Sequence, residues 1–178
     1  IGLATAQAFA AKGAKVVLSD INTEAGIKHT DALKAEGKEV VFFEANVGEE
    51  NAVKALVDFA VNTYGQLDVI VNNAGVGILA ATHELSYEEY QRVIKINQDS
   101  VFFGSKYAIQ QFLKTGGGVI INIASILGTV GEAGAFAYNA AEIFTENKMN
   151  ATLFVVAAWF DPKTFETEYF EVHSHGAN

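Results

Sequence analysis

The stretch that decides the fold is Leu67-Asp68-Val69-Ile70-Val71-Asn72-Asn73-Ala74-Gly75, a short apolar run that ends in an asparagine-rich turn. Runs of this kind, apolar at consecutive positions, are typical of strands buried on both faces. Similar runs occur at 15–19, 39–43 and 119–124. Helical patterns alternate with them at 3–12, 23–36, 49–64 and 87–113, and a further helix should hold Tyr138. The alternation predicts an α/β fold, with a parallel sheet covered by helices on both faces.

The composition sets limits on function. The chain has 178 residues, of which 50% are hydrophobic and 19% charged, and this is enough for one domain with its own core. It has no cysteine, which excludes disulfides and thiolate catalysis. A net charge of −9 and a single arginine, Arg92, argue against nucleic acid as a partner. No apolar run is long enough to span a membrane. We therefore expect a cytoplasmic protein.

Two residues near the start have the chemistry of a nucleotide site. A helix that begins at Gly2 directly after a strand could hold a diphosphate on its first N–H groups, although such a glycine is more often only structural. Asp20 follows the first apolar run. Its carboxylate could bind ribose hydroxyls and would repel the additional phosphate of NADP. It could equally cap a solvated turn.

Three polar residues further along suggest proton transfer. Asn97 falls inside a helical pattern, where it could bend the helix, hold a water molecule or simply lie on the surface. Ser125 and Tyr138 could act together on an alcohol or carbonyl oxygen. A free phenol is a weak base at neutral pH, so such a tyrosine needs a cation one helical turn later. That position is Glu142, and a carboxylate there should disfavour the phenolate.

Together these residues resemble the short-chain dehydrogenase/reductase family over about residues 1–142. The resemblance implies a Rossmann-type doubly wound parallel sheet and hydride transfer between NAD(H) and a small secondary alcohol, ketone or sugar. It implies that Tyr138 is the general acid and base, that Ser125 anchors the substrate oxygen and that Asn97 holds a relay water. It also implies a homo-oligomeric parent, dimer or tetramer, joined through helices at about 86–113 and 138–149.

The resemblance implies a cofactor site as well. Asp20 favours NAD over NADP, and no metal is implied. The cofactor-binding residues would be Gly2, Asp20, Ile21, Asn46, Val47, Asn73, Ala74, Gly75 and Tyr138.

The sequence also departs from the family pattern. Ile1 falls inside the expected glycine loop, so the first strand would be missing, and Glu142 replaces the expected lysine. Residues 143–178 are interpreted as a divergent tail, in which 149–176 weakly resemble polysaccharide deacetylases and contain His173 and His175. We therefore expect impaired activity in this chain. The alternatives are a non-catalytic nucleotide-binding or scaffold domain and a chimera that carries a piece of a deacetylase.

Overall fold

The computed structural model describes residues 1–148, with side chains described up to residue 142. The strands are Val16–Asp20 (β1), Val40–Glu44 (β2), Val69–Asn72 (β3) and Val119–Asn122 (β4). The helices are Gly2–Ala11 (α1), Thr23–Ala35 (α2), Glu50–Tyr64 (α3), Tyr87–Ile94 (α4), Ser100–Thr115 (α5) and Phe136–Lys148 (α6). Strands and helices alternate as predicted, and their bounds agree within about two residues, the usual margin for helix and strand ends.

The four strands pair in parallel, two by two. β1 pairs with β2 from Val16↔Val40 onward, and β3 pairs with β4 from Val69↔Val119 onward. A helical crossover joins each pair, α2 in the first and α4 with α5 in the second. The predicted parallel α/β class is confirmed. Within residues 1–148, however, the strands form two separate sheets of two strands each. No hydrogen-bonded strand pairing joins β1 to β3.

Each strand pair and the turn after it form a unit that positions part of the site. The first βαβ unit is taken as residues 16–48 and the second as residues 69–128. Among the strand residues, Val40 and Val119 are fully buried, Asp20 and Glu44 are exposed, and the others are partly buried. Two-stranded sheets have open edges, which accounts for this partial exposure.

Apolar clusters hold the helices against the strands. Ala10, Leu33 and Val40 join α1, α2 and β2 into one cluster. A second cluster joins α4 to α6 through Val93 and two small residues of α6, Ala137 and Ala141. Small side chains let two helices approach closely, and this contact fixes where α6 places Tyr138.

The predicted long helix at 87–113 is interrupted, as the asparagine within it suggested. Lys95–Asp99 form a π-helical turn between α4 and α5, with Asn97 at its centre. Such single π turns widen the backbone spiral and change the direction of the side chain inside them. Among residues 1–148, no helix is long and apolar enough to cross a membrane.

Candidate functional site

A cavity of about 370 Å³ lies where the carboxyl ends of β3 and β4 meet α6. It brings together residues from the start of the chain, the β3 turn, the π turn, the β4 turn and α6. Three of them, Asn97, Ser125 and Tyr138, are the predicted catalytic residues. The lining residues are Ile1, Asn72, Asn73, Ala74, Gly75, Val76, Gly77, Asn97, Val101, Ile123, Ala124, Ser125, Tyr138 and Glu142.

Asn97 points inward from the π turn and is only 4% exposed. Its side-chain oxygen accepts a hydrogen bond from the backbone N–H of Val76 at 2.9 Å. The asparagine therefore ties the turn after β3 to the helix, which shows that the alternative of a surface asparagine is wrong. The π turn supplies the physical reason, since it directs a mid-helix side chain toward the cavity.

The structural role of Glu142 was not visible in the sequence. It is buried, with 5% of its surface exposed. Its Oε2 accepts a hydrogen bond from the backbone N–H of Ser125 at 3.0 Å. The side-chain amide of Asn97 donates to Oε1 at 3.5 Å, at the long limit for such a bond. One carboxylate thus joins α6, the β4 turn and the π turn.

Ser125 and Tyr138 line the same cavity and are both half-buried. The Ser125 Oγ accepts a hydrogen bond from the backbone N–H of Leu127 at 3.2 Å, which begins a short 3₁₀ turn. That acceptor role leaves the hydroxyl hydrogen available to another oxygen. The Tyr138 ring lies beside Gly77, where an added Cβ would be 3.8 Å from the ring.

Asn139 fixes the loop between Ser125 and Tyr138. Its side-chain amide donates to the carbonyl of Leu127 at 2.8 Å and to that of Val130 at 3.2 Å. The loop is thereby bound to the first turns of α6. Sequence reasoning missed this residue, although asparagine one position after the tyrosine was a visible signal.

An asparagine pair closes the floor of the cavity. The side-chain amide of Asn72 donates to the side-chain oxygen of Asn122 at 2.8 Å, across the ends of β3 and β4. Gly104 of α5 packs directly against Asn72, and an added Cβ would overlap the Asn72 side-chain oxygen. A glycine is therefore required for α5 to lie this close to the strand ends.

The start of α1 lies against the turn after β3. A Cβ on Gly2 would come within 2.6 Å of the Asn73 side-chain nitrogen, so the missing side chain permits the approach. The first turn of this helix has no acidic residue. Unpaired N–H groups at a helix start attract anions. The arrangement, with Ala74 and Gly75 exposed beside it, suits a phosphate group.

The remaining predicted cofactor residues lie at or just after the carboxyl ends of β1 and β2, and none of them lines the cavity. Asp20 is exposed, and its Oδ1 accepts a hydrogen bond from the backbone N–H of Asn22 at 2.9 Å. Ile21 is 70% exposed. Asn46 is exposed and accepts from the backbone N–H of Gly48 at 3.1 Å, while Val47 is half-buried. Asp20 therefore caps the turn that follows β1.

Metal ligands are not grouped in the described part of the chain. Residues 1–148 contain no cluster of three or more His, Cys, Asp or Glu side chains that could hold an ion. His173 and His175 lie outside the described residues, as does the predicted deacetylase-like segment.

The parallel strands, the helices packed on them and the cavity at the strand ends define a Rossmann-like α/β protein. The family follows from comparison with known proteins. A family model described as short chain dehydrogenase matches residues 1–154, so the chain belongs to that family. The match extends past the boundary predicted at residue 142.

Characterised relatives and solved structures agree with this membership. The chain is 43% identical to a cyclohexanol dehydrogenase of an Acinetobacter species, over 80% of this chain and 57% of that protein. It is 35% identical to a cyclopentanol dehydrogenase of Comamonas, over 97% of this chain and 67% of that protein. The structure of a short chain dehydrogenase/reductase from Burkholderia phymatum has been solved in complex with NAD. It aligns with this chain with a TM-score of 0.79 and 28% sequence identity, over 83% of this chain and 52% of the other chain. The chain spans a little over half the length of several of these relatives.

Proposed function

We propose that this protein binds a nicotinamide dinucleotide, NAD in preference to NADP. Its site serves hydride transfer between NAD(H) and a small secondary alcohol, ketone or sugar. The observation that carries the proposal is the cavity in which Asn97, Ser125 and Tyr138 meet beside the start of α1. The cyclohexanol and cyclopentanol dehydrogenases among its relatives support a secondary alcohol as substrate.

The cofactor would be held along the carboxyl ends of the strands. The N–H groups at Gly2 would take the diphosphate, and the exposed Asp20 carboxylate would take the ribose hydroxyls and repel a ribose phosphate. Ile21, Asn46 and Val47 would lie on the adenine side, and Asn73, Ala74 and Gly75 would flank the cavity. When bound, the nicotinamide supplies the hydride acceptor or donor.

The chain's own residues would handle the proton and the substrate oxygen. Ser125 can donate its hydroxyl hydrogen to that oxygen, because its Oγ is already the acceptor for Leu127. Tyr138 would exchange the proton, and Asn97 would hold a relay water on the cavity side. Glu142 lies one helical turn from Tyr138, and its negative charge opposes formation of the phenolate. We therefore propose that turnover by this chain is impaired.

A second candidate is a non-catalytic nucleotide-binding or scaffold domain. The specific observation in its favour is the hydrogen bonding of Glu142 to Ser125 and Asn97, which makes the carboxylate part of the framework of the site. In this alternative the cavity binds a nucleotide and no proton is transferred.

Association between copies belongs to the same proposal. Phe102, Ile109 and Leu113 of α5 are large apolar residues that are 60%, 45% and 80% exposed. Their spacing places them near one another on one side of the helix. This side supports the expected pairing of long helices between subunits.

The test uses Glu142→Lys, with Glu142→Gln as the matched neutral control. NAD binding is measured first by calorimetry, and NADH oxidation is then followed with cyclohexanone, cyclopentanone and a sugar ketone. We expect the parent chain to bind NAD with little turnover, and Glu142→Lys to raise kcat at least about tenfold because a cation favours the phenolate. The gain should be absent in Glu142→Gln.

Each alternative has its own outcome. Ordinary turnover by the unchanged chain would contradict the proposed impairment and the scaffold reading alike. Tight NAD binding without turnover, even in Glu142→Lys, would favour the non-catalytic domain. Equal affinity for NAD and NADP would contradict the proposal that Asp20 selects NAD over NADP.

A further inference from the structure

Two carboxylates lie side by side at the carboxyl ends of β1 and β2. Asp20 and Glu44 are the last residues of these parallel strands and are paired in register. Residues paired in this way point to the same face of the sheet, on strands roughly 5 Å apart. Both residues are exposed. The sequence pointed to Asp20 alone, because Glu44 is distant along the chain and only the strand pairing brings the two together.

Hydrogen bonds hold both carboxylates at the same turn. A side-chain oxygen of Asp20 accepts from the Asn22 backbone N–H at 2.9 Å, and one of Glu44 accepts from the Thr23 hydroxyl at 2.6 Å. Asn22 and Thr23 are consecutive residues at the start of α2, so Glu44 reaches across from β2 to the turn that Asp20 caps. In the part of the chain that the structure describes, neither carboxylate forms an ion pair with a lysine or arginine.

We propose that Glu44 is a second determinant of the choice between NAD and NADP. The inference rests on the proposed function, in which Asp20 lies at the ribose that carries the adenine. NADP has a phosphate on that ribose where NAD has a hydroxyl, and such a phosphate carries up to about two negative charges. A phosphate beside Asp20 would also meet the charge of Glu44, because Thr23 holds that carboxylate at the same turn. Removal of the Asp20 charge alone therefore leaves NADP disfavoured.

Calorimetric titrations of the whole chain with NAD and with NADP test the proposal without any need for turnover. Glu44→Gln keeps an oxygen that can accept from Thr23 and removes only the charge. We expect this variant to bind NADP about fivefold more tightly than the parent and to bind NAD within about twofold of the parent. The double variant Asp20→Asn with Glu44→Gln should show a similar gain for NADP over Asp20→Asn alone.

Salt distinguishes a charge effect from a structural one. The screening length falls from about 10 Å at 0.1 M salt to about 3 Å at 1 M, so most of the gain for NADP in Glu44→Gln should disappear at the higher concentration. A changed shape of the turn would persist in salt. Glu39→Gln is the matched control, because Glu39 is an exposed acid just before the opposite end of β2. It should leave the ratio of the NADP and NAD dissociation constants unchanged.

The outcomes also separate this inference from the assignment of the cofactor. If the parent chain binds neither NAD nor NADP, the proposed function fails and this inference fails with it. If NAD binds and a folded Glu44→Gln leaves the ratio of the two dissociation constants unchanged, the cofactor assignment stands and the inference alone is overturned. An equal gain for NADP in Glu39→Gln, or a gain in Glu44→Gln that persists at high salt, would also overturn it.

Discussion

The two βαβ units differ in the hydrogen bonds that the polar residues at and near their strand ends make. In the first unit, Asp20 and Asn46 hydrogen-bond backbone groups two residues away, and Asn22 caps α2 through Ala25, three residues on. One hydrogen bond in the first unit joins residues further apart in sequence, because the Thr23 hydroxyl donates to the Glu44 carboxylate. In the second unit, Asn72 bonds Asn122, 50 residues away, and Asn97 bonds Glu142 of α6, which lies beyond the unit and 45 residues away.

This difference separates exposed polar residues from structural ones. The short-range bonds of the first unit shape turns and remain in contact with solvent, so the turns would survive the loss of one side chain. The long-range bonds of the second unit are buried or half-buried, and each of them joins separate elements around the cavity. We infer that the second unit holds its site in place and that the first unit offers a more adaptable surface to a ligand.

The largest expected effect comes from breaking the buried asparagine. Asn97→Leu keeps the branched shape of the side chain but leaves the Val76 N–H without its acceptor and removes one donor to Glu142. Unsatisfied buried polar groups cost about 1–3 kcal/mol each, so we expect the free energy of unfolding to fall by about 3 kcal/mol. Urea unfolding followed by circular dichroism measures the change.

Asn46→Ala is the matched control from the first unit. Its exposed side chain holds only the nearby Gly48 N–H, so the free energy of unfolding should change by no more than about 0.5 kcal/mol. Equal losses in the two variants would mean that the two units do not differ as described.

A smaller effect is expected from crowding the floor of the cavity. Gly104→Ala places a methyl group against the Asn72 side-chain oxygen, which must move away from Asn122 or push α5 outward. Overpacking of this kind costs about 1–3 kcal/mol. Thermal unfolding should show a lower melting temperature. Gly131→Ala, where an added Cβ meets nothing within 4 Å, should leave the melting temperature unchanged, and a similar drop there would refute the packing explanation.

The fold could be predicted from the sequence because its signals are local. Gly65 and Gly116 mark the ends of α3 and α5 in the left-handed conformation, and the apolar runs mark the strands. The pairing of these strands into two separate ladders depends on which edges meet in space. No single stretch of sequence contains that information.

The residues of the candidate site could be predicted from the sequence, but their arrangement could be predicted only in part. The spacing of Ser125 and Tyr138 and the unusual mid-helix position of Asn97 pointed to three residues that do line one cavity. Glu142 was seen only as a missing lysine. Its bonds to Ser125 and Asn97 depend on how α6 packs on α4 through Ala137 and Ala141, and helix periodicity alone does not determine that packing.

The smallest expected effect concerns a surface link between α3 and the second unit. Glu50 of α3, the helix that follows the first unit, accepts hydrogen bonds from Lys106 at 2.6 Å and from Tyr107 at 2.9 Å, both on α5 of the second unit. The Lys106 bond, followed by the Tyr107 bond, lowers the pKa of the Glu50 carboxyl below its ordinary value of 4.5. The same Glu50 bond raises the pKa of Lys106 above its ordinary value of 10.5.

These two directions define the pH range over which the link stabilises the protein. A lowered carboxyl pKa contributes stability above the unfolded value, and that contribution is lost as pH falls through the folded pKa. A raised lysine pKa contributes stability below its unfolded value, which is lost as pH rises through the folded pKa. Glu50→Gln should therefore lower the urea midpoint slightly at neutral pH, with the difference from the parent shrinking below pH 4.5 and above pH 10.5.

The pair Lys54–Asp58 supplies the matched control for this link. It lies within α3 at a distance of 2.6 Å and joins no second element, so Asp58→Asn removes a surface ion pair without separating the units. Exposed pairs of this spacing contribute little. If the midpoints of Asp58→Asn and Glu50→Gln shift equally across the pH range, Glu50 acts only as a local charge on α3. A shift confined to Glu50→Gln, and lost in acid, means that the surface contact between α3 and α5 contributes to holding α3 against the second unit, which carries the site.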